Sequence, residues 1–307
     1  MTDIYLRREK SKKGCLLVIL LFTALAAAAA YWFLYGPKLP SRQNDEAASP
    51  DVVADEGSSA QPQPIAQPPP AGRDPGLGLL TEARQLKTGD QLQESRVKCF
   101  EILKVSSNSV ARAEAESLLG DLDVALVLSP RAMPEKTEYT VQSGDSLAAL
   151  AKRFNTTVDV IQKGNGIPGQ MIRVGQRLRI FSGKFSIEVD KSDNLLVLKL
   201  NDQFFKRYRV GTGQYGKTPV GNFNIMQKIA QPTWWRPDGK SIPYGDPENL
   251  LGTHWLSLNA PGYGIHGTWE PDTIGKQASA GCIRLLNNEV EELFILVPEG
   301  TPVTITD

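Results

Sequence analysis

The chain has 307 residues, room for two or three small domains, and its 34 basic and 34 acidic side chains cancel. Without a net field, a nucleic-acid or other polyanion partner is excluded as the organising function. Its three cysteines, Cys15, Cys99 and Cys282, show neither paired nor metal-type spacing. Neither a disulfide framework nor a zinc site is therefore suggested.

Residues 1–14 place Arg7, Arg8, Lys10, Lys12 and Lys13 against Asp3 and Glu9. Residues 15–35 then run without a charge, long enough to cross a ~30 Å hydrocarbon core as a helix. This predicts a cytoplasmic basic tail over 1–14 and a single transmembrane helix over 15–35. The rest of the chain then lies beyond the inner (cytoplasmic) membrane, in the periplasm or cell-wall space. The alanines at 26–30 leave a cleaved signal peptide as the rival reading. The uncleaved anchor is favoured because Tyr31-Trp32-Phe33-Leu34-Tyr35 continues the run as an interfacial belt. Residues 36–76, with Gln61-Pro62-Gln63-Pro64 and Pro68-Pro69-Pro70, lack the branched and aromatic side chains that offset ordering entropy. A Pro-rich disordered linker is expected there.

Helical periodicity returns over 77–131. Leu79, Leu80, Ala83 and Leu86 form one stripe. Leu92, Cys99, Phe100 and Leu103 form a second, and Ala115, Leu118, Leu119, Leu122 and Leu126 a third. The short α-helical segment looks like part of a tetratricopeptide-type hairpin. It reads either as a docking module for a protein partner or as a spacer packed on its neighbour, the second being preferred. Cys99 falls on an apolar face and reads as core.

Residues 137–181 form a separate β-α-α-β pattern. Its ends alternate, and Leu147, Leu150, Ala151 and Phe154 share a helix face. Asp145 or Ser146 is placed to cap that helix. The unit closely resembles a LysM domain, a module that binds N-acetylglucosamine-containing glycans such as peptidoglycan. The resemblance implies glycan-facing loops at Gly144-Asp145-Ser146 and Asn165-Gly166-Ile167-Pro168. Turn chemistry and capping would account for the same residue types.

From 183 to 307 the pattern is mainly β. Phe185-Ser186-Ile187-Glu188-Val189, 196–200 and 205–210 alternate, with turn signals at Asp193-Asn194 and Asn201-Asp202. An antiparallel meander is expected, continued by 223–226 and closed by 302–305. Residues 231–250 hold Trp234, Trp235, prolines and glycines, and read as a lid beside an active site. The tryptophans could equally pack the sheet. Val290, Leu293, Phe294 and Val297 mark a short helix, with Asn287 or Asn288 as its cap.

The chemistry concentrates in His266-Gly267-Thr268-Trp269 and Ser279-Ala280-Gly281-Cys282-Ile283-Arg284-Leu285. Acyl transfer through sulfur needs a nucleophile, a base and N–H groups for the oxyanion, which a His-Gly pair, a loop and a Gly-Cys pair can supply. Together with Gly216-Lys217-Thr218-Pro219-Val220-Gly221-Asn222-Phe223 and Gly262-Tyr263-Gly264-Ile265-His266-Gly267, this segment resembles the YkuD-type L,D-transpeptidase catalytic domain. Many members carry a second histidine where this chain has Ala280.

The resemblance implies Cys282 as the nucleophile, held as a thiolate by the base His266, whose ring is oriented by the Gly267 carbonyl. Backbone N–H groups at Gly281 and Cys282 are expected to hold the oxyanion. Ser279 is expected to shape the turn or bond near His266, and Arg284 to steady the loop or meet a substrate carboxylate. Trp234, Trp235, Tyr263 and Gly264 are expected to touch substrate, while His254 is left out of catalysis. The implied reaction attacks the diamino acid–D-alanine bond of a peptidoglycan tetrapeptide stem, forms a thioester and passes the acyl group to an amine as a cross-link. Carbapenems are expected to acylate the same cysteine. The implied reaction needs no metal or organic cofactor. The residues alone reach only a membrane-tethered, glycan-binding thiol acyltransferase or hydrolase; beside the implied transpeptidase, a cysteine carboxypeptidase or amidase of the same fold and a non-catalytic wall-binding adaptor remain open.

Overall fold

The computed structural model describes residues 74–307 apart from Pro237. The expected tail, membrane span and nearly all of the linker lie outside the described residues. Among those described, no helix is long and apolar enough to cross a membrane.

Three helices come first: Pro75–Thr88 (α1), Leu92–Val105 (α2) and Ser109–Val127 (α3). The first begins earlier than the expected boundary at 77. Asp74 accepts the Gly76 N–H at 2.8 Å, and Pro75 follows at a position that needs no N–H. The same carboxylate accepts from Ser106 Oγ at 2.7 Å, tying the start of α1 to the α2–α3 junction. Leu80, Ala83, Cys99, Ile102, Ala115 and Leu119 are buried between the helices. Burial pushes the Cys99 thiol up to about 12, so it is an inert core residue.

The second unit is Lys136–Thr140 (β1), Leu147–Phe154 (α4), Val158–Gly164 (α5) and Arg177–Phe181 (β2), with β1 and β2 antiparallel. Ser146, not Asp145, caps α4 by accepting the Ala149 N–H at 3.2 Å.

The remainder follows as Phe185–Asp190 (β3), Leu195–Leu200 (β4), Gln203–Arg209 (β5), Thr212–Gly213 (β6), Gly221–Ala230 (β7), Trp234–Trp235 (β8), Ser241–Ile242 (β9), His254–Leu258 (β10), Gly264–His266 (β11), Gln277–Ser279 (β12), Ile283–Arg284 (β13), Asn287–Leu296 (α6) and Pro302–Thr306 (β14). Eight strands form one sheet in the order β13-β11-β10-β7-β14-β3-β4-β5. The meander β3-β4-β5 is antiparallel, but β7 does not continue it and β14 does not close the sheet. Instead β14 lies in the middle, parallel to β3 and antiparallel to β7. Val303 and Ile305 are buried on one face, an alternation that an edge and a central strand share. Neither asparagine caps α6. Leu286 holds the cap position and its N–H donates to Glu289 at 3.2 Å.

The three parts share one core. Leu126, Val127, Met133 and Val160 are buried in the same cluster as Ile187, Leu198 and Leu293 of the sheet unit. Each such side chain contributes roughly 1.5–3 kcal/mol by leaving water, so the helical segment and the LysM-like unit are packed onto the sheet. Glu116 of α3 also meets Arg207 of β5 at 2.5 Å, and Thr157 donates to the Ile295 carbonyl at 2.6 Å.

Candidate active site

Strands β11 and β13 run parallel, with Ile265 opposite Ile283 and His266 opposite Arg284. Both isoleucines are buried in the core. Alternation therefore turns Gly264, His266, Cys282 and Arg284 to the other face, bringing the two motifs together across neighbouring strands.

His266 is 3% exposed and stacks on Trp255 with ring centroids 5.7 Å apart. Its Nδ1–H donates to the Gly267 carbonyl at 2.6 Å, which leaves the Nε2 lone pair as the basic nitrogen. Burial pushes the imidazolium down to about 4; the Gly267 and Leu251 carbonyls oppose this and the Arg284 charge adds to it. Burial likewise raises the Cys282 thiol, against the Gly264 N–H and the charge of Arg284. Desolvation thus disfavours both the thiolate and the imidazolium, and the thiol itself donates to the Gly262 carbonyl at 3.5 Å. Burial therefore works against the thiolate expected at Cys282, while the Gly264 N–H and the Arg284 charge favour it.

The nucleophile's turn is held from within. Ser279 Oγ donates to the Cys282 carbonyl at 2.6 Å and accepts the Gly281 N–H at 3.1 Å. Ser279 thus shapes the turn and makes no bond to His266. The Gly281 N–H is committed to it, so that group is not the free oxyanion donor expected. Gly281 has φ +139°, and a Cβ there would stand 2.7 Å from the Tyr263 ring, so only glycine fits. Thr218, in the upstream motif but given no role from sequence, donates to the Gly281 carbonyl at 2.8 Å and accepts the Gly213 N–H at 2.7 Å. Arg284 is buried and bonded to Glu270 at 2.9 Å, which selects the structural ion pair over an exposed carboxylate receptor.

Cys282 opens into a cleft of about 440 Å³ walled by Gln231, Pro232, Trp234, Trp235 and Trp255, and none of the described residues lining it is charged. Trp235 is 74% exposed and does not pack the sheet. The lid is more ordered than its composition suggests, since β8 and β9 pair as a short hairpin. At its centre Asn249 is 1% exposed and donates to the carbonyls of Pro232 at 2.9 Å, Ile242 at 3.0 Å and Pro243 at 3.2 Å. Trp255 and Asn249 were missed from sequence. The alternation of β10 could have placed Trp255 on the face opposite Leu256, whereas nothing local marks Asn249. His254 faces Thr253 Oγ1 at 3.0 Å and the Phe294 ring at 4.6 Å, away from the cysteine chemistry.

In the LysM-like unit the polar loop residues serve the fold. Asp145 accepts from Tyr139 and from the Gln142 N–H at 2.7 and 2.8 Å. Asn165 binds the Ile161 and Arg179 carbonyls and accepts the Arg179 N–H. With Ser146 spent on its cap, these side chains are not the free glycan contacts expected of them. Gly144 and Gly166 supply the positive-φ turn positions. Ile167, with Gly166 and Pro168, borders an open groove that the exposed Met171 and Val174 complete.

A thiol, a buried neutral imidazole oriented by a carbonyl, and a rigid turn at the mouth of an aromatic cleft define a site for acyl transfer through sulfur. The profile of the L,D-transpeptidase catalytic domain, YkuD, matches residues 184–305, and that of the LysM domain matches residues 139–181. A Bacillus licheniformis protein named as the L,D-transpeptidase YkuD is 35% identical over 176 residues, covering 55% of this chain and 98% of that protein. The Bacillus subtilis L,D-transpeptidase YqjB is 40% identical over 125 residues, covering 39% of this chain and 69% of its own. Among solved structures, an L,D-transpeptidase from Mycobacterium smegmatis is similar at 21% identity and a TM-score of 0.36, covering 44% of this chain and 65% of that one. The chain belongs to the YkuD family of L,D-transpeptidases and carries a LysM domain beside the catalytic one.

Proposed function

We propose that the protein is a membrane-anchored enzyme that cross-links peptidoglycan stem peptides through Cys282. The observation that carries this is the opening of Cys282 into a tryptophan-walled cleft, immediately before the strand that pairs with the one carrying the buried His266. A tetrapeptide stem lies in the cleft with its diamino acid–D-alanine amide over the sulfur. His266 Nε2 takes the thiol proton as Sγ adds to the carbonyl carbon, so no free thiolate accumulates. The oxyanion is met by the Cys282 N–H and by the Gly264 N–H that faces the sulfur, with Gly281 left to its Ser279 bond. The imidazolium returns its proton to the departing D-alanine nitrogen and a thioester remains. An acceptor amine then attacks the thioester, gives up its proton through His266, and restores the thiol.

The LysM groove holds the glycan strand through Ile167, Met171 and Val174 rather than through Asp145 or Asn165. The uncharged run at 15–35 anchors the chain in the inner membrane, and 36–73 sets the reach of the catalytic domain into the wall. Full-length protein incubated with purified disaccharide tetrapeptides should release D-alanine and yield cross-linked dimers by liquid chromatography and mass spectrometry. Shortened monomers alone would make it a hydrolase. Binding to sacculi without any product would make it an adaptor.

A further inference from the structure

Asn287 stands at the first position of α6, five residues beyond the nucleophile, and its side chain turns away from its own helix. Its Oδ1 accepts the Thr253 N–H at 3.1 Å. The same atom is wedged between two glycines. A Cβ on Gly267 would lie 2.2 Å from it, and a Cβ on Gly252 would lie 2.3 Å from it and 2.4 Å from the Gly267 carbonyl carbon. No side chain fits at either glycine, and the amide oxygen fills the space between their backbones.

The peptide unit gripped in this way is the one that orients the base. The Gly267 carbonyl takes the His266 Nδ1–H, and the Gly267 N–H donates to the His254 carbonyl at 3.2 Å, next to Thr253. Thr253 in turn accepts the Gln231 N–H at 2.8 Å, where the lid begins. One amide oxygen therefore joins the segment that carries the nucleophile to the carbonyl that sets the tautomer of the base. It also reaches the root of the cleft wall.

We infer that Asn287 is a positioning residue for the transfer reaction: its Oδ1 locks the 252–254 turn against Gly267 and so holds the His266 ring in its Nδ1–H orientation. This rests on the Cys282–His266 pair proposed above. Outer-sphere groups that orient a reacting side chain matter because a misplacement of ~1 Å costs on the order of 10²-fold in rate.

The test uses the full-length protein and iodoacetamide, a probe that needs no substrate recognition. Carboxamidomethylation of the Cys282 peptide is followed by mass spectrometry from pH 4 to 9, with thermal melting alongside. Asn287→Ala should lower the rate at neutral pH by roughly 10- to 100-fold. It should also move the acid limb toward the ordinary histidine range as the loosened ring is rehydrated. Asn287→Asp, which keeps the acceptor oxygen, should restore most of the rate. Asn287→Leu, which fills the space without the acceptor, replaces the alanine variant if that variant does not fold.

A wild-type rate and pH profile in the variant lacking the acceptor would overturn the inference, provided His266→Ala slows the same reaction. If His266→Ala also leaves the rate unchanged, the failure lies in the catalytic pair itself. A slowed variant that melts like the wild type supports the positioning role. A loss that Asn287→Asp shares in full overturns it.

Discussion

The buried imidazole makes a quantitative statement about pH. His266 lies at about 4 against an ordinary 6.5, chiefly because it is desolvated. At pH 5 an ordinary histidine would be neutral in roughly 3% of molecules, whereas one near 4 is neutral in roughly 90%. Acylation at pH 5 should therefore keep most of its neutral-pH rate, about 30-fold more than an ordinary histidine base would allow.

The same shift has a consequence for folding. Between pH 6.5 and 4 the unfolded chain binds a proton on this residue that the folded chain does not. Its contribution is thus complete above pH 6.5 and falls away as pH drops through that window. The total is roughly 3 kcal/mol. The assay is the rate of Cys282 acylation by imipenem from pH 4 to 8, read by intact mass, with melting temperatures at each pH. An acid limb near 6.5, with flat stability across the window, would refute the desolvated neutral base.

Replacing Asn249 by leucine removes the donor from three carbonyls inside the lid. It should cost about 2–3 kcal/mol and shift tryptophan emission to the red as Trp234 gains water; unchanged melting and emission would show that the lid is held elsewhere. Gly281→Ala must push the Tyr263 ring or bend the nucleophile's turn. A fall in acylation on the order of 100-fold is expected, and a wild-type rate by intact mass would show that the turn tolerates a side chain. Asp123 is buried against Arg96 at 2.5 Å, and burial pushes its carboxyl up to about 7 in spite of that partner. Arg96→Met should cost about 3–5 kcal/mol at pH 8. The loss should shrink at pH 5, where Asp123 is protonated; an equal loss at both values in thermal melts would argue against this.

The two motifs that meet at the site were legible because chemistry and backbone demand fall on the same few residues, His266-Gly267 and Gly281-Cys282. The LysM unit was legible for a related reason, since its helix periodicity and turn residues agree over a short span. Strand order was not legible. The alternation in β14 says which face is buried and nothing about which strands lie on either side. Polar side chains were misplaced where two partners competed. Asn287 looked like a helix cap and instead holds Thr253, while Asp145 and Asn165 looked free and bind their own backbone. The desolvation of His266 was hidden as well, because Trp255, which stacks on its ring, lies outside both motifs.

The most direct test of thioester chemistry at Cys282 is the intact mass of full-length protein shortly after mixing with a tetrapeptide stem. A single adduct is expected, equal to the stem minus D-alanine, mapped to the Cys282 peptide, absent in Cys282→Ala and strongly reduced in His266→Ala. No adduct, or one that survives the loss of Cys282, would contradict the mechanism.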